Sequence, residues 1–271
     1  MPPVPASASD LSLALALTDL ADGITLSRFR AEDLAVETKP DLTPVSEADR
    51  AVEQVLRERL AAERPDDLVL GEEYGGAQAP AGARRWIVDP IDGTKSYVRG
   101  VPAWATLLAL ECDGVVTVGV VSAPALGRRW WAAQGHGAFG TDGLGGERRL
   151  GVSGVRELGD AQLCFGGLEE WRDAGRLPGL LALGERCWRT RGYGDFWSYM
   201  LVAEGSVEIG LDPDVSLWDL AAPMIVVTEA GGRFTDLDGV ETAGGGSGLA
   251  TNGLVHETAR AILNGDGATV R

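Results

Sequence analysis

The sequence predicts an α/β protein in layers, because two helical segments open the chain, short apolar strands follow, and helices then alternate with strands to the end. Each element has a local cause. From Leu11 onward, Leu13, Leu17, Leu20 and Ile24 recur at helical spacing, with Ser9 or Asp10 placed as the cap. Ser46-Glu47-Ala48-Asp49 is a variant capping box, opening a second helix that carries Val52, Val55, Leu56 and Leu60 on one face and stops before Pro65. Strands are expected at Leu68–Leu70, Trp86–Val88, Ala105–Leu110, Val115–Val121 and Arg129–Ala133, each bounded by Gly, Pro or Asp. Asp113-Gly114 between two of them signals a hairpin. A helix over Phe196–Ala203, a strand at Val207–Ile209, a helix over Trp218–Glu229, a strand at Arg233–Thr235 and a helix over Val255–Leu263 complete the pattern. Gly143–Gly146 and Gly244–Gly248 read as loops. The first suggests a boundary near residue 150, between an N-terminal α+β half, 1–150, and a C-terminal α/β half, 151–271, packed tightly enough to count as one domain.

The chain has 271 residues, 45% of them hydrophobic, which suits a globular protein with a large core. Its 24 Lys and Arg against 40 Asp and Glu give a net charge of −16. Such a surface repels phosphate backbones and anionic bilayers, excluding non-specific nucleic-acid or membrane binding. Cys112, Cys164 and Cys187 form neither a disulfide framework nor a zinc pattern and fit a reducing cytosol. Met1–Asp10 lacks the basic and apolar regions of a signal peptide, and no stretch is long and apolar enough for a bilayer. The expectation is a soluble cytoplasmic protein with a frayed start.

The chemistry concentrates in carboxylates. In Trp86-Ile87-Val88-Asp89-Pro90-Ile91-Asp92-Gly93-Thr94 an apolar strand runs into an Asp, a proline shapes the turn, a second Asp follows, and Gly-Thr lets the backbone approach a ligand. Two carboxylates on one turn repel unless a cation holds them, and Mg²⁺ favours such oxygen ligands together with water and substrate phosphate. Gly71-Glu72-Glu73 follows a strand, Trp218-Asp219-Leu220 opens a helix, and Asp49 begins another. Read singly, Asp49 is a cap, Asp219 a helix-start charge and Glu73 a solvated side chain. His136 and His256 lie in no motif and read as surface residues, and no P-loop or dinucleotide signature is present.

Asp89-Pro90-Ile91-Asp92-Gly93-Thr94 resembles the first signature of the inositol monophosphatase family of Mg²⁺-dependent phosphomonoesterases. Trp218-Asp219-Leu220-Ala221-Ala222, leading to Glu229-Ala230-Gly231-Gly232, resembles its second. Val45-Ser46-Glu47-Ala48-Asp49 and Gly71-Glu72-Glu73 fall where that family has its other acidic segments, so the likeness runs over about residues 10 to 265. The resemblance implies a layered α-β-α-β-α fold, a homodimer and two or three Mg²⁺ ions per active site. By the same resemblance, Glu72, Asp89 and the Ile91 carbonyl hold one ion, Asp89, Asp92 and Asp219 a second, and Glu72 a weaker third. Asp49 and Thr94 polarise the attacking water, and the Gly93 and Thr94 N–H groups bind phosphate. Asp212 faces the alcohol part of the substrate, and Lys39 matches an upstream lysine that reads equally as a surface charge. Ser96 departs from the family's usual Asn, which bears on the support of the loop.

Substrate choice is expected in Arg191-Gly192-Tyr193-Gly194-Asp195-Phe196-Trp197-Ser198-Tyr199, where an acid among aromatics suits a cationic or flat-ring alcohol better than a polyol. With Thr94 to Pro102, this segment is similar to the histidinol-phosphate phosphatases of the inositol monophosphatase type found in actinobacteria. Asp195 is the chief candidate, with Asp212; Trp104 could stack, and Phe196, Trp197 and Tyr199 read partly as core. The alternatives are an inositol-1-monophosphatase or broad sugar phosphatase, and, outside enzymes, a silent metal- or phosphate-binding regulatory module.

Overall fold

A computed structural model describes residues 8–40, 43–141, 143 and 146–265. Residues 1–7 of the expected frayed start and residues 144–145 of the Gly143–Gly146 loop lie outside these residues. Helix α1 (Ala8–Arg28) is followed by a two-stranded hairpin, β1 (Val36–Thr38) and β2 (Pro44–Ser46), and by α2 (Glu47–Glu63). A seven-stranded sheet comes next, ordered as in the chain: β3 (Leu68–Gly71), β4 (Arg84–Asp92), β5 (Ala105–Cys112), β6 (Val115–Ala123), β7 (Arg128–Ala133), β8 (Gly137–Thr141) and β9 (Glu147–Arg149). Helix α3 (Thr94–Val98) sits between β4 and β5. Only the β3–β4 pair is parallel; the others are antiparallel, as hairpin connections permit. At the Asp113-Gly114 turn both residues take positive φ, 52° and 78°, the geometry a two-residue hairpin needs.

The second sheet has five strands in the order β11-β10-β12-β14-β13. These are β10 (Gln162–Phe165), β11 (Arg189–Arg191), β12 (Ile209–Asp212), β13 (Arg233–Thr235) and β14 (Gly248–Thr251). Helices α4 (Leu168–Asp173), α5 (Leu177–Gly184), α6 (Asp195–Ala203), α7 (Leu217–Glu229) and α8 (His256–Leu263) surround it.

Period-two alternation sorts the side chains into layers. Trp86, Val88, Leu108, Leu110, Val118 and Val120 bury one face of the large sheet against Leu13, Leu17, Val52, Leu56 and Leu60 of α1 and α2. Ile87, Leu107, Ala109, Val121 and Trp130 bury its other face against α6 and α7, through Phe196, Leu220, Ala222 and Ile225. Phe234, Cys164 and Ala250 of the small sheet press on the same two helices. Leu163, Ile209, Leu211 and Leu249 bury its far face against α4, α5 and α8. The result is the α-β-α-β-α stack. Helix α7 can lie this close to the sheet because Gly119 has no side chain: a Cβ there would stand 2.5 Å from Ile225 Cγ2.

Four expectations change. Helix α1 begins at Ala8, so Asp10 is no cap; it is buried in the first turn and paired with Arg84 at 2.8 Å. His256 is not a surface residue but 1% exposed, held between Thr235 and Thr251. Gly248, placed in a loop, opens β14, and the strand expected at Val207–Ile209 runs instead over Ile209–Asp212. Among the described residues no helix is long and apolar enough to cross a membrane.

Candidate active site

A cavity of about 640 Å³ opens where the C-terminal end of β4, the end of β12 and the starts of α3, α6 and α7 converge. Glu72, Asp89, Ile91, Asp92, Gly93, Thr94, Asp195, Asp212 and Asp219 line it. These residues come from both sheets and span nearly 150 positions of sequence, so the fold itself assembles the site.

The Asp89–Asp92 turn is shaped by a bulge. Asp89 faces Leu107 of β5 and Asp92 faces Ala105, so β4 spends one residue more than its partner. Residues three apart on a regular strand point to opposite faces; the extra residue turns both carboxylates the same way. Ile91 N–H donates to Asp89 Oδ1 at 3.0 Å, and the Thr106 hydroxyl donates to the Pro90 carbonyl at 2.7 Å. The Gly93 carbonyl accepts from the N–H groups of Ser96 and Tyr97. These bonds hold the loop, and the Ser96 side chain takes no recorded part.

Asp49 and Asp219 reach the site by the same local device. Each is the third residue of a helix opened by serine, and each accepts the serine's backbone N–H, Ser46 at 2.8 Å and Ser216 at 2.6 Å. One carboxylate oxygen is thereby fixed, and the other faces the chemistry. Asp49 is 0% exposed and stands behind the cavity wall, where its Oδ1 lies 3.3 Å from the Thr94 hydroxyl. That hydroxyl is also 2.9 Å from the Ile91 carbonyl. Asp219 lies with Asp89 and Asp92, each offering a carboxylate oxygen within 4.8 Å of the others. Phe196 N–H, in the first turn of α6, donates to Asp92 Oδ2 at 2.6 Å.

The electrostatics of this cluster are unfavourable as it stands. Burial first, then the nearby Glu72, Asp92 and Asp219, push Asp89 well above the usual carboxylate range. Burial and then Asp195 and Asp219 do the same to Asp92. Asp219 is raised to about 7 by burial, with Glu72 adding to the shift. Oxygen donors alone, converging and mutually repelling, fit a hard divalent cation, which would cancel the repulsion they suffer. Glu72 stands slightly apart: Lys39 Nζ reaches it at 2.7 Å and Glu73 at 2.6 Å. Lys39 is thus no free surface charge, and Glu73, read singly as solvated, is half-buried and paired.

The rest of the wall is acidic and aromatic. Asp212 is buried, and its Oδ2 accepts the Tyr199 hydroxyl at 2.8 Å. Asp195 opens α6 at φ 49°, a strained position for a residue with a side chain, and its carboxylate comes close to Gly93. Desolvation in the wall, with Glu170 adding and Lys95 opposing, pushes Asp195 up to about 6. Glu170, Lys95, Tyr193 and Trp218 also line the cavity; the last three lie in segments the sequence singled out, whereas Glu170 belongs to no motif and was missed. Trp104 is not available for stacking: it is fully buried, edge-on to Tyr97 at 4.9 Å. Phe196 and Tyr199 are core, while Trp197 backs Tyr193 at 5.3 Å.

Comparison with known proteins agrees in sequence and in shape. The sequence profile of the inositol monophosphatase family matches residues 9–266. The histidinol-phosphatase of Mycobacterium tuberculosis is 58% identical over 95% of this chain and 99% of its own length. That of Streptomyces coelicolor is 55% identical over 94% and 97%. The solved Thermotoga maritima IMPase superposes with a TM-score of 0.83 at 28% identity, covering 95% of this chain and 97% of its own. With the four acidic motifs gathered around one cavity, the chain belongs to the inositol monophosphatase family.

Proposed function

We propose that this protein hydrolyses L-histidinol phosphate to L-histidinol and phosphate, with Mg²⁺ as its cofactor. The observation that carries the reading is one cavity lined by two acidic sets. Asp89, Asp92 and Asp219 converge, while Asp195, Asp212 and Glu170 line the same cavity with Tyr193, Asp195 close enough to Asp92 to raise its pKa. The first set suits metal-bound phosphate. The second suits an alcohol bearing an ammonium group and a flat ring, through ion pairing and stacking. The high identity to histidinol-phosphatases supports the same substrate.

In this reading Glu72, Asp89 and the Ile91 carbonyl would hold one ion, Asp89, Asp92 and Asp219 a second, and Glu72 a third. Bound there, Mg²⁺ would supply neutralisation of the phosphate dianion and a lowered pKa for water. Thr94, hydrogen-bonded to Asp49, orients the water and passes its proton toward that buried carboxylate. Gly93 and Thr94 line the cavity, and in this reading their N–H groups would donate to phosphate oxygens. Water attacks phosphorus in line as the P–O bond to histidinol breaks; no side chain becomes phosphorylated. Asp195 and Asp212 hold the amine-bearing end. We also take residues 1–150 and 151–271 as halves closing on one site, and the enzyme as a cytoplasmic homodimer.

The test is steady-state kinetics with Mg²⁺ on L-histidinol phosphate, inositol 1-phosphate and fructose 1,6-bisphosphate, for the wild type and Asp195→Asn. Hydrogen bonds to charged groups contribute about 1.5–3 kcal/mol, so kcat/KM for histidinol phosphate should fall about 10- to 100-fold, and that for inositol phosphate only a few-fold. Equal losses, or a wild-type preference for inositol 1-phosphate, would overturn the substrate and leave the phosphatase reading intact.

A further inference from the structure

We infer that Glu53 is a positioning residue for the metal site, acting through the turn that presents Glu72. This rests on the reading of Glu72 as a metal ligand. On α2, Asp49, Glu53 and Arg57 are spaced four apart and share one face. Asp49 serves Thr94; Glu53, one turn on, is 0% exposed and serves the next catalytic segment. Its Oε2 accepts Glu73 N–H at 2.8 Å, and its Oε1 accepts Tyr74 N–H at 3.2 Å and Arg57 Nε at 2.8 Å. Arg57 also donates to the Gly75 carbonyl.

The segment so held is a closed turn. Gly71 and Gly75 exchange both backbone hydrogen bonds at 3.0 Å, and Glu72 lies between them. Its own N–H is tied to the Val88 carbonyl at 3.1 Å, next to Asp89. Glu72 is therefore fixed on one side by β4 and on the other by the two N–H groups that Glu53 captures. The fit leaves no room for a substitute: a Cβ on Gly71 would lie 2.0–2.5 Å from the Glu53 carboxylate atoms. A carboxylate this deep is costly unless its oxygens are satisfied, and here the turn's N–H groups and Arg57 satisfy them. An apolar residue would fill the space under the turn without gripping it. The grip is what sets where the Glu72 side chain starts.

Calorimetric titration of the metal-free enzyme with Mg²⁺ alone, and the Mg²⁺ concentration for half-maximal activity, provide the test. Glu53→Gln removes the charge and turns an N–H donor toward the backbone donors. Arg57→Gln, nearer the surface, loosens the same grip if the first variant does not fold. Outer partners of metal ligands typically contribute 10- to 100-fold in affinity. Either variant should therefore raise the Mg²⁺ midpoint about tenfold or more, with kcat recovering at high Mg²⁺. A lowered melting temperature with an unchanged Mg²⁺ midpoint in the folded variant would overturn the inference. A wild type that binds no Mg²⁺ would instead overturn the metal reading beneath it.

Discussion

At Asp89 the conflict between stability and chemistry is sharpest. The side chain is 1% exposed, and Glu72, Asp92 and Asp219 all press negative charge upon it. Asparagine is its isostere and keeps the oxygen that accepts Ile91 N–H. Asp89→Asn should therefore abolish turnover, by about a thousandfold or more, while making the metal-free protein more stable, as removal of functional strain does. Relief of about 1 kcal/mol corresponds to a rise of about 2–4 °C in a chain of this size, read by thermal unfolding in a chelator. A variant less stable than wild type under those conditions would show that the cluster is not strained. The candidate ligands were legible because Asp89 to Thr94 is contiguous, Ser46-Glu47-Ala48-Asp49 reads as a capping box, and Asp219 stands at the start of a helix. Lys39 against Glu72, or Lys95 near Glu170, was not, because chain separation hides which charges meet.

Among the elements, those with clean apolar periodicity were legible, and α2, α7 and β13 lie within a residue or so of expectation. Strand β8, Gly137-Ala138-Phe139-Gly140-Thr141, sets two glycines and an alanine against Phe139 and Thr141, so its strand propensity is weak; it forms because β7 and β9 supply partners on both sides. Strand β14 begins in a glycine-rich run for the same reason, paired between β12 and β13. Where α8 meets these strands, His256 offers a pH test. The Thr235 hydroxyl donates to the Asp236 carbonyl, so it must accept from His256 Nε2, leaving Nδ1 to accept from Thr251. That network holds the neutral ring. Burial, with Arg233 and Arg260 assisting, lowers its pKa to about 4 from 6.5. Between these values the unfolded chain takes up a proton that the folded one refuses, so the contribution is whole above pH 6.5 and is lost toward pH 4. Wild type should lose on the order of 2 kcal/mol more than His256→Gln between pH 7 and 4, by denaturant unfolding. The difference between the two proteins isolates the ring from the active-site carboxylates, whose raised pKa values act with the opposite sign. Parallel pH curves would remove the histidine from this role.

The whole molecule carries −16 charges and concentrates several of them where its two sheets approach each other. The excess of acid was legible in composition. Its focus was not, because a count of carboxylates says nothing of which ones converge. Glu72, Asp89 and Asp92 belong to the large-sheet region, whereas Asp219 opens the helix α7 packed between the sheets. A divalent ion held by both sets would therefore link layers whose converging carboxylates repel one another. Binding to the folded state alone at a hundred times the dissociation constant contributes about 2.7 kcal/mol per site. Millimolar Mg²⁺ should accordingly raise the melting temperature by about 5–10 °C, and a chelator should reverse it. Two controls separate a site from diffuse screening of the surface. NaCl at matched ionic strength should give a much smaller rise, since screening acts weakly on buried groups. Asp219→Asn should lose most of the Mg²⁺ effect, whereas Asp195→Asn, outside the converging trio Asp89, Asp92 and Asp219, should retain most of it. If NaCl reproduces the full shift, or Asp219→Asn keeps it, the ion is not binding across the layers.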